Sequence, residues 1–159
     1  MNDIGLELVA AARHELGRPF RHHFKPNECS GGLETLDECM ENGMDSRGYD
    51  CMGLVIASVC KINNVSPRSW PKQYRHSLQL NQFATDNNPA FGDVLLIEST
   101  SEEGRPYMTH MGFYLAPNRV LHANGRTGIV DEGEIAGIVT DIKVADTLAL
   151  IGIAENIRQ

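Results

Sequence analysis

The apolar residues of this 159-residue chain change period halfway along, and that change limits the fold more than any other feature of the sequence. In the first half they recur at helical spacing. Residues 3–16 set Ile4, Leu8, Ala11, Ala12 and Leu16 on one stripe, with Asp3 where an N-cap belongs and Gly17 and Pro19 ending the run. Residues 51–62 carry Leu54, Val55, Ala57, Val59 and Ile62 behind Asp50, and Asn63-Asn64 stops them. Shorter helices are expected at 33–40 and around 74–84. In the second half the segments 94–98, 112–116, 119–123, 128–131, 138–142 and 148–154 read as strands. Turn residues such as Pro117-Asn118, Asn124-Gly125 and Glu132-Gly133 separate them. Helices first and strands after predict an α+β fold, with N-terminal helices packed on a central antiparallel β-sheet. The length suits one domain spanning 1–159.

Twenty-one Asp and Glu outnumber fourteen Lys and Arg, a formal charge of −7. A surface of that sign opposes phosphate contacts, so no nucleic-acid partner is expected, and it does not favour anionic lipid. A small or peptide-like substrate reached through a cleft fits better. No apolar run is long enough to span a bilayer, so no membrane partner is expected. Asp3 and Glu7 interrupt the apolar N-terminus and no basic segment precedes it, unlike a secretory signal. The chain is therefore expected to be cytoplasmic or exported by other machinery.

The four cysteines, Cys29, Cys39, Cys51 and Cys60, form no Cys-x-x-Cys pair. The spacing of a zinc site is absent, and no metal or cofactor is expected. In a reducing compartment all four stay thiols, and Cys29 and Cys39 pair only on export. Cys51 heads a helix, where free N–H groups and the helix dipole favour the nucleophilic thiolate. Asp50 opposes that unless it points away. The plainer reading of any helical cysteine is a buried structural thiol, and Cys29, Cys39 and Cys60 are read so.

His110 enters a strand pattern and His122 follows twelve positions later, across the turn at Pro117-Asn118. In an antiparallel hairpin both rings can project from one face, one taking the Cys51 proton and the other holding its far nitrogen. Two unrelated histidines remain the bland alternative. A two-histidine metal site lacks a third ligand at any obvious spacing. Asp93, Asp131 and Glu132 read as solvated strand-end carboxylates.

Five segments in this order resemble the NlpC family of papain-like peptidases, which cut peptidoglycan peptides. Gly17-Arg18-Pro19-Phe20-Arg21-His22 resembles its entry loop, and Asp50-Cys51-Met52-Gly53-Leu54-Val55 its nucleophile motif. Phe91-Gly92-Asp93-Val94-Leu95-Leu96 resembles the strand opening its sheet. Thr109-His110-Met111-Gly112-Phe113-Tyr114 is similar to its base motif, and Val120-Leu121-His122-Ala123 to the strand bearing a third polar residue. The resemblance implies a Cys51–His110–His122 triad, a peptidoglycan peptide as substrate, and a substrate-binding role for Asp50 near the substrate's free amine. Phe20 and His22 lie where the family's entry loop meets substrate.

The chain departs from the family at two places. Met52 follows the nucleophile where Ser is usual, and Phe20 stands for a Tyr whose hydroxyl contacts substrate or oxyanion. The Cys51 N–H with His22 or His23 is the replacement oxyanion donor this suggests. Residues 25–48 form an enlarged loop for the family. The missing signal and the Arg21-His22 pair resemble its phage-tail branch. A phage particle or a secretion machinery is then the partner that brings the enzyme to the wall. Two alternatives remain open: a papain-like amidase or acyltransferase with another substrate, and a non-catalytic tail or assembly module with a relic triad.

Overall fold

The computed structural model describes residues 3–20, 48–74, 81–100, 110–135 and 138–157. Helix α1 (Asp3–Arg13) buries Gly5, Leu8, Val9, Ala11 and Ala12, the stripe its spacing predicts. It ends one turn earlier than expected. Gly17, at φ 86°, gives its N–H to the Val130 carbonyl, so the chain leaves the helix axis and Leu16 faces solvent.

Two residues, Gly48–Tyr49, make the short strand β1. Helix α2 (Cys51–Ile62) follows at once. Asp50 caps it with extended backbone, its Oδ1 accepting the Gly53 N–H at 2.5 Å. Eight of the twelve α2 residues are buried, which makes it the central helix rather than a half-exposed one. Two of its buried polar side chains bond to the helix itself. The Ser58 hydroxyl donates to the Leu54 carbonyl and Asn63 Nδ2 to the Val59 carbonyl, both at 2.8 Å.

Single 3-10 turns occur at Pro67–Ser69, Lys72–Tyr74 and Asn81–Phe83. The last two bracket the helix expected around 74–84, whose middle lies outside the described residues. Strands β2 (Val94–Thr100), β3 (His110–Ala116), β4 (Arg119–Asn124), β5 (Ile129–Gly133) and β6 (Ile138–Val144) form one sheet in the order β5-β4-β3-β2-β6, every pair antiparallel. Asn118, at φ 61°, turns the β3–β4 hairpin.

The segment 148–154 is not a strand. It lies in helix α3 (Thr147–Ile157), which packs on α2. Leu150, Ile151, Ile153 and Ala154 are buried while Leu148 is 69% exposed, a helical spacing. Asp146 Oδ1 accepts the Ala149 N–H at 3.2 Å and caps the helix.

The main core lies between α1, α2 and one face of the sheet, with Leu8, Leu54, Val55, Val59, Phe113 and Leu121 all buried. Each such side chain is worth roughly 1.5–3 kcal/mol of transfer free energy. The opposite face buries Leu95, Ile97, Val120 and Val144. β2 is therefore apolar on both sides, alternating between the two clusters. Among the described residues no helix is long and apolar enough to cross a membrane. Residues 25–47, with the helix expected at 33–40, His22, His23, Cys29 and Cys39, lie outside the described residues.

Candidate active site

Cys51 is the first residue of α2 and Asp50 its cap, so helix geometry alone fixes both. Central packing of α2 presses its N-terminus against β3. There the backbone N–H groups of Met111, the residue after His110, of Met52 and of Cys51 favour the Cys51 thiolate. Cys51 as a residue is half-buried. Segment 17–20 closes the same corner. Pro19 bridges to Ile129 and Phe20 to Tyr49, and Tyr49 gives its N–H to the Pro19 carbonyl at 2.9 Å. Phe20 thus packs, partly buried, on the core beside the residue that precedes Asp50.

The two histidines meet as the hairpin predicts. His110 Nε2 lies 2.6 Å from His122 Nδ1, and the rings stand edge to face, 4.9 Å between centroids. Room for this comes from Gly112. A Cβ there would sit 3.1 Å from His122 Cβ. His122 is 2% exposed, and its Nε2 lies 3.4 Å from Asp131 Oδ1.

Asp131 is not the solvated strand-end group its position suggests. It is the Cα partner of His122 across β4 and β5 and is 22% exposed. Thr127 Oγ1 donates to its Oδ2 at 2.6 Å. The signal was present in the sequence. His122 and Asp131 are equidistant from the centre of the turn Gly125-Arg126-Thr127-Gly128, so a hairpin pairs them. Glu132 instead pairs with Arg13 at 2.6 Å, and Asp93 accepts the Ala90 N–H at 2.7 Å.

Burial dominates the electrostatics. It pushes the Cys51 thiol up to about 12, helped by the Asp50 charge and opposed by the three N–H groups. The thiolate expected from the helix terminus is therefore not the resting form. Burial raises Asp50 to about 7 against its hydrogen bond from Gly53. Burial and then the neighbouring His122 lower His110 to about 3. His122 is lowered by burial, with the Asp131 charge acting against it. Asp50 is 4% exposed, and its Oδ2 has no hydrogen-bond partner among the described residues. Among those residues no group of three or more His, Cys, Asp or Glu side chains has the arrangement of a metal site.

The helix headed by Asp50 and Cys51 packs on β3 and β4, while β3, β4 and β5 bring His110, His122 and Asp131 together. A neutral thiol and a neutral imidazole within reach of one another can deliver sulfur to a carbonyl and pass the proton on.

The sequence profile of the NlpC/P60 family matches residues 41–143. No curated protein matches the sequence. Solved structures similar to the chain include the NlpC/p60 domain of the peptidoglycan hydrolase SagA, at TM-score 0.51 and 18% identity, covering 92% of this chain and 100% of that one. NlpC1 from Trichomonas vaginalis is similar at TM-score 0.53 and 16% identity, covering 90% of this chain. The chain spans 44% of that longer protein. An N-acetylmuramoyl-L-alanine amidase from Bacteroides uniformis is similar at TM-score 0.59 and 14% identity, covering 90% of this chain and 98% of that one. At these identities the likeness is one of fold: the papain-like α+β arrangement of helices on an antiparallel sheet.

Proposed function

The chain belongs to the NlpC/P60 family, and from that premise we propose that it is a cysteine hydrolase of amide bonds in peptidoglycan stem peptides. Cys51 Sγ attacks the scissile carbonyl. His110 takes the thiol proton and returns it to the leaving amine, and water hydrolyses the thioester. His122 holds His110 in the orientation and tautomer this needs. The Cys51 backbone N–H, at the start of α2, is a donor to the oxyanion. Asp50 Oδ2, buried and unpartnered among the described residues, is an acceptor suited to a substrate ammonium group. Phe20 gives that corner an apolar wall where a Tyr would give a hydroxyl.

One observation carries the reading: the 2.6 Å His110–His122 contact lies on the two strands against which the helix headed by Cys51 packs. The test is digestion of defined muropeptides by wild type, Cys51→Ala and His110→Ala, with products read by mass spectrometry. Wild type is expected to add water across one amide bond. Both variants are expected to fall by at least about 10³-fold, since loss of a nucleophile or its base removes most of the acceleration. Full turnover by Cys51→Ala, or mass gain on an amine in place of water, overturns it.

A further inference from the structure

His122 has one ring nitrogen engaged with His110 and one facing the other way. That second nitrogen, Nε2, is buried, has no hydrogen bond in good geometry among the described residues, and faces Asp131 Oδ1 at 3.4 Å. Asp131 is held from behind. Thr127 Oγ1 donates to Oδ2 at 2.6 Å, and Asn124 Nδ2 lies 3.3 Å from Oδ1 and 3.4 Å from Oδ2. Asn124 is itself fixed, its Oδ1 accepting the Arg126 N–H at 2.9 Å. The β4–β5 turn therefore builds a cradle that aims one carboxylate at one imidazole.

We propose that Asp131 is a positioning residue of the Cys51–His110 chemistry, setting through His122 which nitrogen of His110 carries the proton. The inference rests on the reading of the site given above. Between His110 Nε2 and His122 Nδ1 there is one proton and two ways to place it. If His122 Nδ1 carries it, His110 Nε2 accepts. Neutral His110 then bears its own proton on Nδ1, and no nitrogen is left to act as base. If His110 Nε2 carries it, Nδ1 is a free lone pair. A carboxylate beside His122 Nε2 selects the second case, because it calls for an N–H there and neutral His122 has only one proton to place. One acceptor at the far end thus orders the whole chain: Asp131 accepts from His122, His122 accepts from His110, and His110 Nδ1 stays open. When Cys51 gives up its proton, the imidazolium at His110 keeps it for the leaving amine and is stabilised through the same line.

The test uses the full chain and three proteins: wild type, Asp131→Asn and Thr127→Val. An amide at 131 can donate to His122 Nε2 and so permits the unproductive tautomer. Ring 15N shifts of His110 and His122 read the tautomer directly. Muropeptide turnover reads kcat and KM, and thermal unfolding checks the fold. In Asp131→Asn the protonated nitrogen of His122 is expected to move from Nε2 to Nδ1. The kcat is expected to fall about 10- to 100-fold with KM little changed, below the roughly 10⁴-fold loss for a fully buried relay carboxylate. Thr127→Val keeps the carboxylate but loosens it, and a smaller kcat loss is expected.

The tautomer decides between outcomes. Ring signals unchanged in Asp131→Asn overturn the proposal even if kcat falls, since that loss would be structural. If Asp131→Asn unfolds, a shift of the His122 signals in Thr127→Val supports it, and their constancy overturns it. If wild type shows no Cys51-dependent turnover, the proposed function fails, while the ring signals still decide the role of Asp131.

Discussion

At Cys51 the helix terminus and the burial of the corner pull in opposite directions, and burial wins. Three N–H groups favour the thiolate, yet the thiol is pushed up to about 12 while His110 is drawn down to about 3. The resting groups are a neutral thiol and a neutral imidazole, so under the proposed function the nucleophile forms as its proton leaves during attack. Asp50 sets how hard that is. Its carboxyl, raised to about 7, is mostly neutral in mildly acid solution and charged above neutrality, where its charge lifts the thiol further. Asp50→Asn keeps a capping side chain and removes the charge. We expect iodoacetamide to alkylate Cys51 about 3- to 10-fold faster in this variant than in wild type near pH 8, and at about the same rate near pH 5, since one pKa unit is tenfold in thiolate. Cys60, fully buried and raised to about 12 by burial alone, is the internal control for access. Equal rates at the higher pH would mean that the Asp50 charge does not reach the sulfur.

At the scale of elements, α1 reaches the sheet through a contact that admits no side chain. Gly92 has φ +85°, and a Cβ on it would sit 2.5 Å from the Gly5 backbone of α1. Gly92→Ala meets both a strained backbone and an immovable neighbour. The expected loss is about 3 kcal/mol, combining left-handed strain with overpacking, read from the urea midpoint at unchanged slope. A loss under about 0.5 kcal/mol, the size of an ordinary surface change, would show that α1 can ride away from the loop. The sequence announces α1, α2 and the five strands because their apolar residues repeat with a definite period between clear stops. Residues 148–154 are apolar almost without interruption, so neither period stands out, and strand was the wrong choice. The Asp146 cap and the polar Glu155-Asn156 end were the better guides. The place of Cys51 at a helix start and the meeting of His110 with His122 are legible from helix position and hairpin arithmetic. The raised thiol was not, because burial depends on which elements close over the corner, and local sequence does not hold that.

For the whole molecule, Asp50 on one side and the buried histidines on the other give stability opposite dependences on pH. Asp50 rises from 3.8 unfolded to about 7 folded, so the folded state holds its proton longer. Its contribution is complete below 3.8 and is lost as pH climbs through 7. His110 falls from 6.5 to about 3, so its contribution is complete above 6.5 and is lost as pH drops toward 3. His122 is lowered in the same sense, so between 3.8 and 6.5 the histidine slopes oppose that of Asp50. Asp50→Asn removes the falling limb alone. The gap in Tm between the variant and wild type is expected to be near zero around pH 4. It should widen steadily to about pH 8, where roughly 4 kcal/mol of buried-charge penalty is relieved and Tm gains on the order of ten degrees. A constant gap across that range would assign the effect to the cap hydrogen bond to Gly53, which does not titrate in the variant. A gap that widens toward acid would mean Asp50 is ionised in the resting protein, and that burial at the start of α2 is weaker than the packing of α1, α2 and the sheet implies.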